Sequence, residues 1–110
     1  LLSLLGDLKA DGKKIVGYGA PAKGNTLLNY CGIGCDYLDF TVDRNPLKQN
    51  KLLPGTRIPV RAPAAIAEHR PDYILILPWN LETEIVGALG FVREWGGRFI
   101  RPIPEPVVLD

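Results

Sequence analysis

The sequence has no methionine, one histidine and two cysteines among its 110 residues. Cys31 and Cys35 are too few for a disulfide framework. Even with His69, far away in sequence, they fall short of the four ligands of a structural zinc. Both read as small buried apolar residues, Cys31 near a helix end and Cys35 just before a strand. No apolar run approaches the roughly eighteen residues of a membrane span, and no basic n-region marks a secretory signal. Charge of one sign is lacking too, since 13 Lys and Arg face 12 Asp and Glu for a net charge of +1. That balance speaks against a nucleic-acid face or a membrane anchor, while leaving room for a local basic pocket. A Walker lysine signature, a Ser-His-Asp set and a carboxylate cluster for a metal are absent as well. The first residues, Leu1-Leu2-Ser3-Leu4-Leu5, read as the inside of a helix in a segment of a longer, cytoplasmic protein.

What is present is the material of one globular domain over residues 1–110, with 46% apolar and 23% charged residues. A chain of this size buries roughly two thirds of its unfolded surface. Leu1, Leu4, Leu5 and Leu8 follow helical spacing as far as Asp11-Gly12. Strands are expected at Lys14–Tyr18, Tyr37–Val42, Arg57–Val60, Tyr73–Leu77 and Gly97–Ile100. Helices are expected at Ala22–Tyr30, at Pro63–His69 and as one piece from Leu81 to Trp95. Residues from Asp43 to Gly55 read as a long loop, and the prolines at 102, 104 and 106 as a tail outside the sheet. Strands alternating with helices give an α/β, Rossmann-like three-layer domain with a mostly parallel five-stranded sheet.

Gly17-Tyr18-Gly19-Ala20-Pro21-Ala22 fits G-x-G-x-x-[GA] between a strand and a helix. Glycines let the backbone approach a ligand, and free amides at the helix start favour an anion, with Lys23, Asn25 and Thr26 as further donors. Any parallel α/β unit also needs a tight turn at this point. Asp43, at the end of the second strand, either accepts from a ribose hydroxyl or opens the turn Asp43-Arg44-Asn45-Pro46. Arg44 beside it is compatible with a 2′-phosphate. Trp79 and Asn80 fall at the carboxyl end of the fourth strand, on the same rim, and Asn80 also suits a helix N-cap. His69 reads as a surface residue on the opposite rim, and no credible catalytic base stands out.

At these residues the sequence resembles a known family. Tyr18-Gly19-Ala20-Pro21-Ala22-Lys23-Gly24-Asn25-Thr26, Asn29-Tyr30-Cys31-Gly32-Ile33, Asp43-Arg44-Asn45-Pro46-Leu47-Lys48-Gln49, Pro54-Gly55-Thr56-Arg57-Ile58-Pro59-Val60 and Leu77-Pro78-Trp79-Asn80 are similar to the C-terminal domain of the sugar C-methyltransferases. The similarity runs in order over nearly the whole chain. In that family a zinc-binding domain and an S-adenosylmethionine-binding domain precede a Rossmann-like domain that helps hold a nucleotide-linked keto-sugar. The resemblance implies that zinc, S-adenosylmethionine and the catalytic Tyr, Glu and His belong to upstream domains, with no cofactor, metal or catalytic residue here. It implies two partners, the nucleotide-sugar and the chain's own upstream methyltransferase domain. The substrate-positioning residues it implies are Tyr18, Gly19, Ala20, Lys23, Asn25, Thr26, Asp43, Asn45, Lys48, Gln49, Trp79 and Asn80. Lys48, Lys51 and Arg57 suit a diphosphate or an ordinary solvated loop. The competing reading is a free-standing NAD(P)- or coenzyme-A-binding module built on the glycine turn and Asp43.

Overall fold

The leucine stripe of the first segment turns inward as helix α1, Leu2–Ala10, in the computed structural model, which describes residues 1–109. Strand β1 (Ile15–Tyr18) leads to helix α2 (Ala22–Cys31). This helix starts directly after Pro21, whose missing N–H costs nothing at a helix beginning. Gly32 and Ile33 end it by donating their amides back to Asn29 and Leu28. Then come β2 (Thr41–Val42), β3 (Lys51–Leu52), β4 (Pro59–Arg61), α3 (Ala64–His69) and β5 (Tyr73–Ile76). A 3₁₀ turn (Trp79–Leu81), α4 (Glu82–Ala88), a second 3₁₀ stretch (Gly90–Trp95), β6 (Arg98–Arg101) and β7 (Val107–Leu109) complete the order.

One sheet holds all of these strands in the order β3-β4-β2-β1-β5-β6-β7. The five inner strands run parallel, and β3 and β7 lie antiparallel at the two edges. Helices cover both faces, and the alternation along β5 shows why. Leu75 and Leu77 pack into the layer of Leu5 from α1 and Leu28 from α2, while Ile74 and Ile76 meet Ile66 of α3 and Ile85 and Leu89 beyond. Such a strand is apolar throughout because neither face sees water. Each of these buried side chains contributes about 1.5–3 kcal/mol.

The architecture is the α/β one expected, but the sheet has seven strands rather than five. Both additions are short edge pieces. Lys51 and Leu52, inside the expected loop, pair with Val60 and Pro59, and both are exposed, so they carry no apolar alternation. After the prolines the tail turns back, and Val107–Leu109 pair with β6. The second strand is shorter than expected, because Tyr37 and Leu38 donate to Gly34 in a turn and only Thr41–Val42 form a regular ladder. The expected long helix breaks at Leu89-Gly90, although Ile85, Leu89 and Val92 still share one core. Both cysteines are expected to be buried, but Cys31 is only half-buried against the core, and Cys35 is exposed, because its turn runs over the surface and its thiol lies against the Arg57 carbonyl.

From β1 the chain crosses to β2 on one side and later to β5 on the other, and this reversal opens a crevice at the carboxyl ends of those strands. Gly24 sets how closely α2 approaches that rim. A Cβ there would stand 2.8 Å from Leu77 Cβ and 3.2 Å from Pro21 Cγ, neither of which can swing away. Gly24→Ala is expected to destabilise the domain by about 1–3 kcal/mol in urea unfolding, as overpacking does. Gly87→Ala is the control: nothing lies within 4 Å of its new Cβ, and the helical alanine adds about 0.5–1 kcal/mol. Equal effects of the two substitutions would contradict the packing account.

Candidate functional site

Glycine 19 is where β1 leaves the sheet. Its φ of +91° suits a residue without a side chain, and a Cβ would stand 2.8 Å from Pro78 Cδ. Its amide donates to the Val42 carbonyl, and its carbonyl accepts from the buried Thr41 hydroxyl at 2.6 Å. The next residue, Ala20, is held at both ends by the segment after β2. Its amide donates to Asp43 Oδ2 at 2.9 Å, and its carbonyl accepts from Lys48 Nζ at 3.0 Å. The other Asp43 oxygen, Oδ1, accepts from the Asn45 amide at 2.9 Å. Asn45 Oδ1 then accepts from Leu47 N, and Gln49 Nε2 donates to the Asp43 carbonyl at 2.8 Å. Asp43, Asn45, Lys48 and Gln49 therefore fold their own segment and strap it onto the glycine turn.

Beside this strap lies an open crevice of about 430 Å³. Tyr18, Gly19, Ala20 and Pro21 form one side, with Asp43, Arg44 and Lys48 at the strap and Pro78 at the end of β5. The far wall is one stripe of the Leu81–Ala88 stretch, where Leu81, Glu84, Ile85 and Ala88 recur at helical spacing. The crevice thus has two cations, Arg44 and Lys48, two carboxylates, Asp43 and Glu84, and an otherwise apolar far wall. Two of its backbone amides, those of Gly19 and Ala20, are already used within the protein, and Pro21 has none to offer. Among the described residues no group of three or more His, Cys, Asp or Glu is placed to share a metal ion.

A family model described as the C-methyltransferase C-terminal domain matches residues 1–104. The chain belongs to that family. The C-methyltransferase NovU of Streptomyces niveus is 52% identical over 101 residues, which are 92% of this C-methyltransferase C-terminal domain and 24% of that protein. The domain therefore spans about a quarter of the length of the curated relative it matches. The solved UDP-D-quinovosamine 4-dehydrogenase from Vibrio fischeri superimposes with a TM-score of 0.59 at 20% identity, over 84% of this chain and 79% of that one. That likeness is one of fold.

Of the residues singled out in the sequence, the C-methyltransferase C-terminal domain brings Tyr18, Gly19, Ala20, Asp43 and Lys48 to the crevice, with Asn45 and Gln49 supporting the strap. Lys23, Thr26 and Trp79 line a neighbouring groove instead, on the outer side of α2. Asn25 is tied to Asn29, whose Nδ2 reaches its carbonyl at 3.0 Å and its side-chain oxygen at 3.4 Å. Asn80 is exposed in the 3₁₀ turn and does not cap α4, whose first flanking residue is Leu81. Lys51 and Arg57 sit on β3 and the return to β4, away from the crevice lining. His69 lies on the opposite rim as expected, 2.8 Å from Asp39 Oδ2, with Lys14 Nζ donating to its carbonyl. Sequence reasoning missed the far wall. Its signal was the spacing of Leu81, Glu84, Ile85 and Ala88, hidden beside the stronger core stripe of Ile85, Leu89 and Val92.

Asp43→Ala removes the acceptor of two amides at once. It is expected to cost about 1–3 kcal/mol in urea unfolding, the penalty of leaving donors unpaired. Amide hydrogen exchange at Ala20 and Asn45 is expected to accelerate, with Asp43→Asn intermediate because its single carbonyl oxygen serves one donor. Unchanged exchange at both amides would mean that the strap does not depend on the carboxylate.

Proposed function

We propose that this domain is the substrate-holding C-terminal part of an S-adenosylmethionine-dependent C-methyltransferase, with its crevice taking a nucleotide-linked keto-sugar. The observation that carries the reading is the crevice itself at the switch point of the sheet, whose lining joins Arg44 and Lys48 to the apolar side chains of Leu81, Ile85 and Ala88. A nucleotide-sugar joins a diphosphate, which a guanidinium binds through charge-assisted hydrogen bonds, to a flat ring that an apolar wall accepts. Family membership and the 52% identity to a C-methyltransferase support the reaction. The likeness in fold to a protein named for a UDP-linked sugar is in keeping with the ligand class.

C-methylation removes a proton beside a keto group. The resulting carbanion-like carbon attacks the methyl group of S-adenosylmethionine, so a C–C bond forms as the S–C bond breaks. Asp43 already accepts from two backbone amides, which leaves it fewer lone pairs for the ribose hydroxyls of that cofactor and supports placing the cofactor outside this domain. In this reading the cofactor, the zinc and the base are held by the rest of a cytoplasmic enzyme, and this domain orients the substrate. The same engagement of Asp43 and Ala20 weighs against a free-standing NAD(P)- or coenzyme-A-binding module.

The 110-residue chain alone is expected to transfer no methyl group to any of a panel of nucleotide keto-sugars, and turnover by it would overturn the proposal. Titration with uridine or thymidine diphosphate is expected to shift the amides of Tyr18–Ala20, Arg44 and the α4 wall. Arg44→Ala removes a charge-assisted contact worth about 1.5–3 kcal/mol, so the Kd is expected to rise roughly tenfold to a hundredfold. Lys23→Ala, in the neighbouring groove, is expected to leave it unchanged. Shifts confined to the rim of His69 would move the ligand elsewhere.

A further inference from the structure

The outward face of α2 carries a half-buried leucine, Leu27, and a tyrosine, Tyr30, that stands almost wholly in solvent. Gly24 and Leu28 face the sheet and are buried, whereas Tyr30, in the last turn, is 89% exposed. Lys23, Thr26, Leu27 and Tyr30 succeed one another at the three- and four-residue spacing of one helix face. With Ala22 and Trp79 they line an open groove of about 480 Å³. A surface helix ordinarily turns its polar side to water. An exposed tyrosine beside a half-buried tryptophan, with one lysine at the margin, has instead the make-up of an interface centre and its rim.

Two observations point to the occupant. The C-methyltransferase that is 52% identical over the shared stretch is about four times as long as that stretch, so most of such an enzyme lies outside this domain and is at hand to cover it. The groove also borders the crevice: Pro21 and Pro78 line the crevice, and the next residues, Ala22 and Trp79, line the groove. A protein surface seated on Tyr30 and Trp79 would therefore also wall the mouth of the crevice and keep water from a ligand held there. We propose that the outer face of α2, centred on Tyr30 and Trp79, is the docking surface for the methyl-transferring part of the same enzyme. The proposal rests on the reading of this chain as one domain of a C-methyltransferase. It also adds a specific seam and gives Lys23, Thr26 and Trp79 a role in protein contact rather than in substrate binding.

Hydroxyl-radical labelling of side chains, read by mass spectrometry, tests this in the full-length enzyme against the 110-residue chain, which has its own core on each face of the sheet. Labelling of Tyr30 is expected to be fast in the short chain and about tenfold slower in the full-length enzyme, as a ring that is 89% exposed becomes buried. Phe91, 39% exposed and packed edge-on against Trp95 over the opposite core, is expected to label equally in both. Tyr30→Lys is expected to leave the unfolding midpoint of the short chain unchanged and to restore fast labelling of Trp79 in the full-length enzyme. Equal labelling of Tyr30 in the two proteins overturns the docking surface, whatever the turnover. Protection of Tyr30 in the short chain by added uridine diphosphate, or by raised protein concentration, also overturns it, giving the groove to a ligand or to a second copy. Methyl transfer by the full-length enzyme is scored separately, so failure of the seam and failure of the proposed reaction are told apart.

Discussion

The Asp43 carboxylate, held between the amides of Ala20 and Asn45, is the constraint on which the crevice depends. One oxygen fixes the end of β1 to the end of β2, and the other shapes the first turn of the strap. Charge-assisted bonds to a carboxylate are stronger than neutral ones. Once Ala20 is pinned, Lys48 reaches its carbonyl and Gln49 reaches the carbonyl of Asp43, so the strap closes on itself. Arg44, between these anchors, is carried to the crevice margin.

The same interaction changes what the glycine turn can do. In a dinucleotide-binding unit the turn offers amides to a pyrophosphate, and the acidic residue after the second strand accepts from a ribose. Here the acidic residue is the partner of the turn. The close-packing role that the third position of the glycine motif would fill falls two residues later, to Gly24 against Leu77, while Ala22 is exposed. This turn holds the amides of Gly19 and Ala20 inside the protein. The crevice lining is left with side chains, Arg44 and Lys48 beside the Leu81–Ala88 wall, as its further hydrogen-bond donors.

The α/β layering, the parallel inner sheet and the glycine turn were legible in the sequence, because each leaves a local mark. Tyr73–Leu77 is apolar on both faces, and Pro21 and the Gly32-Ile33 pair bracket α2. The edge strands were not legible, since a two-residue ladder at Lys51–Leu52 has no periodicity, and three prolines hide the return of Val107–Leu109. The sequence also left open whether Asp43 binds a ribose or opens a turn. Both need an acidic residue at a strand end, and the bonds from the Ala20 and Asn45 amides show the turn role. Likewise Trp79 and Lys23 sit next to the crevice residues in sequence but open onto a different surface, a distinction set by which side of Pro21 and Pro78 the chain turns to.

Isothermal titration calorimetry of the 110-residue chain with NAD and NADP, with Asp43→Ala in parallel, tests this account most directly. With Asp43 committed to the protein's own amides, both dinucleotides are predicted to bind no tighter than about millimolar, roughly 4 kcal/mol. A micromolar Kd for either one, lost on Asp43→Ala, would show the carboxylate serving a ribose instead and would contradict the account.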